Sequence, residues 1–495
     1  MIDTREQMKQ VLKDAGMGKC SRSVYNTAWV ARLGDLDRTL SNQALNWLAE
    51  NQLPDGSWGA VAPVNYHDRV ISTLAAMVAL TMRGRRTQDR RQIERGQHAL
   101  EMLSKGAARG LMIDPAGSTI GFEMIMPTLL AEVESHNIIT HQKDGVLERL
   151  TRKRAAKLAK LPDNMINRNV SVAFSVEMVG KELHLIDAKN LQENNGSVAC
   201  CPSATAFYIL NITPDPAALK FLSDISINGA SPDIGPIAPF EWAWILWNLA
   251  LTNSIDDEMR ALCQPSLDGL KSYWTDEGIP SVSGFSLRDG DTSGVAHEVL
   301  SVFGCPVDLK GMLHYEHDEY FTCFALEDNP SMSCNAHVLG ALRHAGFEVQ
   351  HPSIQKILRF LVQTQTRHSF WFDKWHASPY YTTCHAIIAC AGYADEIVET
   401  AVDWILNTQN EDGSWGYYAS SAEETAYCLQ ALAVWKRQGK GEEEIPTDIL
   451  KHGAEWLEAH MNDPYPWLWI GKSLYCPELV VESAILSALM LVEQL

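Results

Sequence analysis

Apolar residues recur at helical spacing along almost the whole chain. Ile397, Ala401, Trp404 and Ile405 fall at i, i+4, i+7 and i+8, and Cys428, Ala431, Leu432 and Trp435 at i, i+3, i+4 and i+7; this is the stripe of a helix with one buried face. Alternating runs that would mark half-buried strands are scarce. The N-terminal segment from Met1 to Cys20 mixes charged and apolar positions without the continuous apolar stretch of a secretory signal, and reads as a helix of the mature protein. Gly, Pro and Asp clusters at 54–56, 214–216, 231–239 and 411–413 predict short loops between helices. The pattern predicts an all-α array.

One motif repeats. QLPDGSWG at 52–59 recurs as QNEDGSWG at 409–416, each copy after a helix carrying a tryptophan, Trp47 or Trp404, and a degenerate copy runs QENNGSV at 192–198. The glycine permits a tight turn after a helix, while Gln and Trp can pin that helix end to its neighbour. Such an element is structural, and two good copies suggest two related helical barrels.

Composition narrows the field. Against 61 Asp+Glu the 495 residues carry 41 Lys+Arg, a formal net charge of −20, which argues against a nucleic-acid partner. The longest apolar-leaning segment, 71–82, is too short to span a bilayer. Eleven cysteines without a CxxC pair predict a reducing, cytoplasmic home.

The candidate chemistry centres on 286–294, SLRDGDTSG, where Asp289 and Asp291 sit two residues apart ahead of a helical run. Two close carboxylates cannot ionise independently, so one can stay protonated near neutral pH and act as a Brønsted acid. A solvated Asp-Gly turn with an N-capping Asp or Thr fits the same spacing. Asp256 and Asp257 open a pattern like the metal motif used to ionise allylic diphosphates, but Arg260 stands where a third aspartate is needed. Aromatic residues cluster at Trp242, Trp244 and Trp247, at Trp371, Trp375, Tyr380 and Tyr381, and at Trp467 and Trp469; such faces can stabilise a carbocation without trapping it. Lys374 lies between Trp371 and Trp375, where burying its charge demands an anionic partner, Asp373 or a diphosphate.

The Asp289-Gly290-Asp291-Thr292 box and the Gln-to-Trp repeats resemble class II terpene cyclases, whose general-acid box is DxDD. Further matches run in family order: SVYNTAWVA at 23–31, GFEMIMP at 121–127, NGSVACCPS at 195–203, Asp373-Lys374-Trp375, and WIGKSLY at 469–475. Within the family the resemblance is to bacterial diterpene cyclases that make kolavenyl or halimadienyl diphosphate. It implies two α/α-barrels, a γ domain over 39–240 inserted into a β domain made of 1–38 and 241–495, with no class I α domain. It also implies that Asp291 protonates the terminal alkene of geranylgeranyl diphosphate, supported by Asp289 and Thr292 and oriented by Asn335, with Ser331 as a second hydroxyl. Lys374, Lys472 and Arg69 are the expected diphosphate anchors, and Trp371, Trp375 and Tyr380 the substrate wall. Glu177, in SVE at 175–177, and Glu182 are the expected Mg2+ ligands. The expected product is a rearranged bicyclic diphosphate, kolavenyl ahead of halimadienyl, passed to a downstream class I synthase or phosphatase. Competing readings are a sesquiterpene cyclase making drimenyl diphosphate from farnesyl diphosphate, a triterpene cyclase, a prenyltransferase β-subunit and a non-catalytic isoprenoid-binding scaffold.

Overall fold

The computed structural model describes residues 3–84, 86–106, 118–139, 145–325, 327, 329–438 and 445–495. Its helices in chain order are α1 (Thr4–Asp14), α2 (Val24–Ala31), α3 (Arg38–Glu50), α4 (Tyr66–Arg83), α5 (Thr87–Gly106), α6 (Phe122–Ser135), α7 (Gly145–Leu158), α8 (Pro202–Asn211), α9 (Pro216–Ile225) and α10 (Ala238–Leu251). They continue with α11 (Asp257–Tyr273), α12 (Gly290–Val302), α13 (Lys310–Leu313), α14 (Met332–His344), α15 (Pro352–Thr364), α16 (Pro379–Cys390), α17 (Glu399–Asn407), α18 (Ala422–Arg437), α19 (Thr447–His460) and α20 (Glu478–Val492). Strands β1 (Trp469–Ile470) and β2 (Leu474–Tyr475) form an antiparallel hairpin.

Two closed rings result. Helices α10, α12, α14, α16, α18 and α20 pack in succession, and α20 returns to α10. Outside them α11, α15, α17 and α19 pack on the inner helices, and α1 fills an outer place against α20 and α11. The smaller ring runs α2, α4, α6, the 3-10 segment Ser171–Val179 and α8, which closes on α2. Burial follows this division: every residue of inner α16 is buried, whereas outer α15 buries a stripe containing Ile354, Ile357, Leu358 and Leu361. Helix α1 thus packs with the larger ring and α2 with the smaller.

The repeat motif builds the joints between outer and inner helices. In each copy the Gln side chain donates to the carbonyl four residues on: Gln52 to Gly56, Gln192 to Gly196, and Gln409 to Gly413. A residue of positive φ makes the turn, at +89°, +85° and +93° respectively, a conformation glycine adopts without steric penalty. The residue six after the Gln donates its backbone N–H to a threonine on the next inner helix: Trp58 to Thr73, Val198 to Thr205 and Trp415 to Thr425.

The structure adds another copy. Gln365 donates to the Ser369 carbonyl, Ser369 has φ +67°, and Trp371 N donates to Thr383 Oγ1. Trp58, Trp371 and Trp415 also each send Nε1 back to the carbonyl of Leu48, Leu361 or Ile405 at 2.8–2.9 Å. Trp371 is thus a structural pin rather than substrate wall. Serine in place of glycine hid this copy.

The β1–β2 hairpin straps the rings together. Ala377 N donates to Leu468 O on the larger ring, while Ile120 N donates to Gly471 O and Leu474 N to Asp68 Oδ1 on the smaller. Buried Asp233 accepts from Lys472 N, Ser473 N, Ser473 Oγ and Asn26 Nδ2.

Candidate active site

Helix α12 begins at a joint of the same design. Asp289 is its N-cap and accepts from Thr292 N at 2.6 Å and Thr292 Oγ1 at 3.0 Å, which satisfies an orphan N–H of the first turn. Ser293, four residues after the cap, accepts from the incoming Ile279 N. Burial, and then the charge of Asp291, push the Asp289 carboxyl up to about 7. A third aspartate would add charge here; Thr292 supplies a neutral donor instead.

Asp291, in the first turn, reaches a cavity. Its Oδ1 lies 2.5 Å from His337 Nδ1, and His337 Nε2 lies 2.6 Å from His385 Nδ1. Burial and the neighbouring His337 hold His385 well below the ordinary histidine pKa, so its ring is neutral. The far side of this pair borders a second cavity lined also by Glu298, Arg343 and His344.

Asn335 does not orient Asp291. Its Oδ1 accepts from Phe321 N, and its Nδ2 donates to the carbonyls of Phe321 and Ser331. Four residues after the α14 cap, Asn335 holds the joint position that Ser293 and Thr425 hold on their helices. Residues two apart on a helix diverge by about 200°, so only one of Asn335 and His337 can face α12. Ser331 is the α14 cap and bonds Asp373 Oδ1 at 2.9 Å, away from the acid.

The cavity lies between the rings and has a volume of about 360 Å³. The smaller ring contributes Val172, Phe174, Ser175 and Met178; the larger contributes Phe240, Trp244, Phe285, Phe324, Trp375 and the hairpin residue Trp469. Its charged lining residues, among those described, are Asp233, Asp289, Asp291 and Glu327. Trp375 therefore lies in this wall. Tyr380 does not, for it is buried and stacked 4.7 Å from Trp404 in the core.

The three expected diphosphate anchors are engaged elsewhere. Arg69 donates to Ala60 O, Val61 O, Asp55 Oδ2 and Ser57 Oγ, and so holds the 55–61 turn. Lys374 pairs with Glu327 and lies 5.0 Å over the Trp375 ring. Because Glu327 accepts from Cys323 N and Cys323 O accepts from Gly290 N, Lys374 stands near the start of α12. Lys472, fully buried, bonds Glu177 Oε1 at 2.6 Å and Ser203 Oγ at 2.7 Å.

That pairing also bears on magnesium. Glu177 spends Oε1 on Lys472, Tyr25 and Ser203, while Glu182 is solvent-exposed. No group of three His, Cys, Asp or Glu among the described residues could hold a metal ion. The second carboxylate oxygen of Glu177, Oε2, is buried and has no hydrogen-bond partner among the described residues.

The comparisons agree with this architecture. Residues 319–435 match the squalene-hopene cyclase C-terminal domain model. The chain is 43% identical over 500 residues to a type B diterpene cyclase of Mycobacterium tuberculosis, covering 99% of each chain. The chain belongs to the class II diterpene cyclases. An ent-copalyl diphosphate synthase of Streptomyces sp. is 28% identical, over 97% of this chain and 93% of its own. The solved ent-copalyl diphosphate synthase of Streptomyces platensis superposes with a TM-score of 0.80 at 30% identity, over 99% of this cyclase and 100% of that chain. No described helix of the cyclase is long and apolar enough to cross a membrane.

Proposed function

We propose that this cyclase protonates the terminal alkene of geranylgeranyl diphosphate from Asp291 and closes two rings with the diphosphate retained. The observation that carries the reading is one carboxyl, Asp291, at an aromatic-walled cavity, beside a second carboxyl held up to about 7. An alkene is a poor base, so its protonation needs an acid kept dry and aligned. His337 holds Oδ1 of Asp291, leaving Oδ2 to carry the proton for delivery. Asp289 and Thr292 fix the helix start from which Asp291 projects. Ring closure follows as the next double bonds attack, and the aromatic walls stabilise each cation while offering it no nucleophile.

The product of this reading is a bicyclic diphosphate rearranged by hydride and methyl shifts, kolavenyl diphosphate first and halimadienyl diphosphate second. The similarity to a type B diterpene cyclase supports a C20 substrate. A class I synthase or a phosphatase would consume the product, since the diphosphate survives. The domain division belongs to the same reading, with the contacts of α1 on α11 and α20 supporting return of the N-terminal helix to the later unit. Purified protein is given geranylgeranyl or farnesyl diphosphate, and the alcohols freed by phosphatase are identified by mass spectrometry and NMR. A bicyclic C20 alcohol is expected; a C15 product alone would move the enzyme to the sesquiterpene cyclases.

A further inference from the structure

Behind the cavity wall lies a carboxylate that the acid chemistry does not use. Glu423, on α18, is fully buried and does not line the cavity. Its Oε1 accepts from Trp469 Nε1 at 2.9 Å, Tyr427 OH at 3.0 Å and His376 Nε2 at 3.1 Å. His376 Nδ1 lies 3.1 Å from Ser378 N and 3.2 Å from Ser378 O; with the first bond made, the ring hydrogen sits on Nε2 and points to Glu423. Three donors converging on one oxygen is the bonding of a carboxylate. Its Oε2 has no partner, a costly arrangement for a buried carboxylate.

Trp469 lines the cavity, with Phe240 at 5.3 Å and Trp244 at 6.5 Å between ring centres. The other two cavity indoles have neutral anchors: Trp244 Nε1 donates to Tyr381 OH, and Trp375 Nε1 to Cys323 Sγ. A carboxylate on the indole N–H polarises that bond and raises electron density over the ring, deepening its attraction for a cation.

We propose that Glu423 is a positioning residue that acts through the Trp469 indole to hold the migrating carbocation and set how far rearrangement proceeds before proton loss. The proposal rests on the cyclisation reading above. Once Asp291 has given up its proton it is an anion that draws the cation back toward the acid. An electron-rich Trp469 offers a competing resting place, so hydride and methyl shifts can run further before a proton is removed.

The test uses the full-length enzyme with geranylgeranyl diphosphate and measures kcat, KM and the ratio of isomeric alcohols after phosphatase treatment. Glu423→Gln keeps the shape and removes the charge; it should lower kcat about tenfold, the order of a desolvated cation–π interaction, with KM little changed. It should also raise the share of less rearranged isomers. Trp469→Phe should move the ratio the same way, and the double variant should be no worse than Trp469→Phe alone. An unchanged isomer ratio in Glu423→Gln, or multiplicative losses in the double variant, would overturn the proposal. If Glu423→Gln fails to fold, an unchanged ratio in Trp469→Phe overturns it just as directly. A wild-type enzyme forming no cyclic C20 product would instead overturn the underlying reading, and the proposal with it.

Discussion

The starts of α12 and α18 are built alike and differ in what they carry. Each has a capping oxygen, Asp289 or Ser421, that accepts from the backbone N–H three residues on. Four residues after the cap a hydroxyl, Ser293 or Thr425, takes the backbone N–H of the incoming segment. Two residues after the cap each carries an acid, Asp291 or Glu423. On α12 that acid reaches the cavity and bonds His337; on α18 it stays behind Trp469. The difference teaches that the site is a structural joint with altered side chains. The cap and the hydroxyl are common to both joints, and the acid between them is set in different surroundings.

Breaking the chemical half of the comparison should have the largest effect. Asp291→Asn keeps the size of the side chain, and turnover should fall by roughly 10²–10⁴-fold, the contribution of a positioned general acid. Its melting temperature should stay near that of the wild type, as shown by circular dichroism.

The strap between the rings should give the next largest effect, in stability. Lys472→Met strands the Glu177 carboxylate in the interior and should destabilise by about 3–5 kcal/mol. Adding Glu177→Gln should recover most of the loss, as read by denaturant unfolding. If Lys472 bound substrate instead, the double variant would fold well but lose substrate affinity.

The two caps should respond differently to pH. The Asp289 carboxyl sits at about 7 in the fold against an ordinary 3.8, so between these values the native state holds a proton that the unfolded state releases. The stability contribution of the protonated carboxyl is complete below about 3.8, falls as pH rises, and is lost above about 7. Asp289→Asn should flatten that part of the stability profile, whereas Ser421→Ala should lower stability at all pH values by about 1 kcal/mol, the worth of an N-cap.

The smallest effect tests the hidden repeat. Trp371→Phe and Trp415→Phe each remove one indole-to-carbonyl hydrogen bond and should each cost about 1 kcal/mol. Neither should change KM for geranylgeranyl diphosphate. A selective rise of KM in Trp371→Phe would return that residue to the substrate wall.

Helical periodicity, the Asp289–Asp291 box and the two good repeats were legible because each depends on local spacing. The role of Trp371 was not, since Ser369 replaces the glycine that marks the turn. Asn335 and His337 are two residues apart, and which of them meets Asp291 depends on the rotation of α14 against α12. Lys374 looked like an anchor because a buried cation needs an anion, and Lys472 and Arg69 by resemblance, yet spacing cannot say that Glu327, Glu177 and Asp55 pair with them. Glu423 carried little local signal: Tyr427 is four residues on, but its other partners, Trp469 and His376, arrive from distant segments.

Turnover in D2O tests the central claim most directly. If Asp291 starts the reaction by protonating the terminal alkene, the bicyclic C20 product keeps its diphosphate and takes up one deuterium at the ring carbon that was the terminal alkene CH, beside the carbon that bore the two methyl groups. A product without deuterium there, formed with release of diphosphate, would contradict the account.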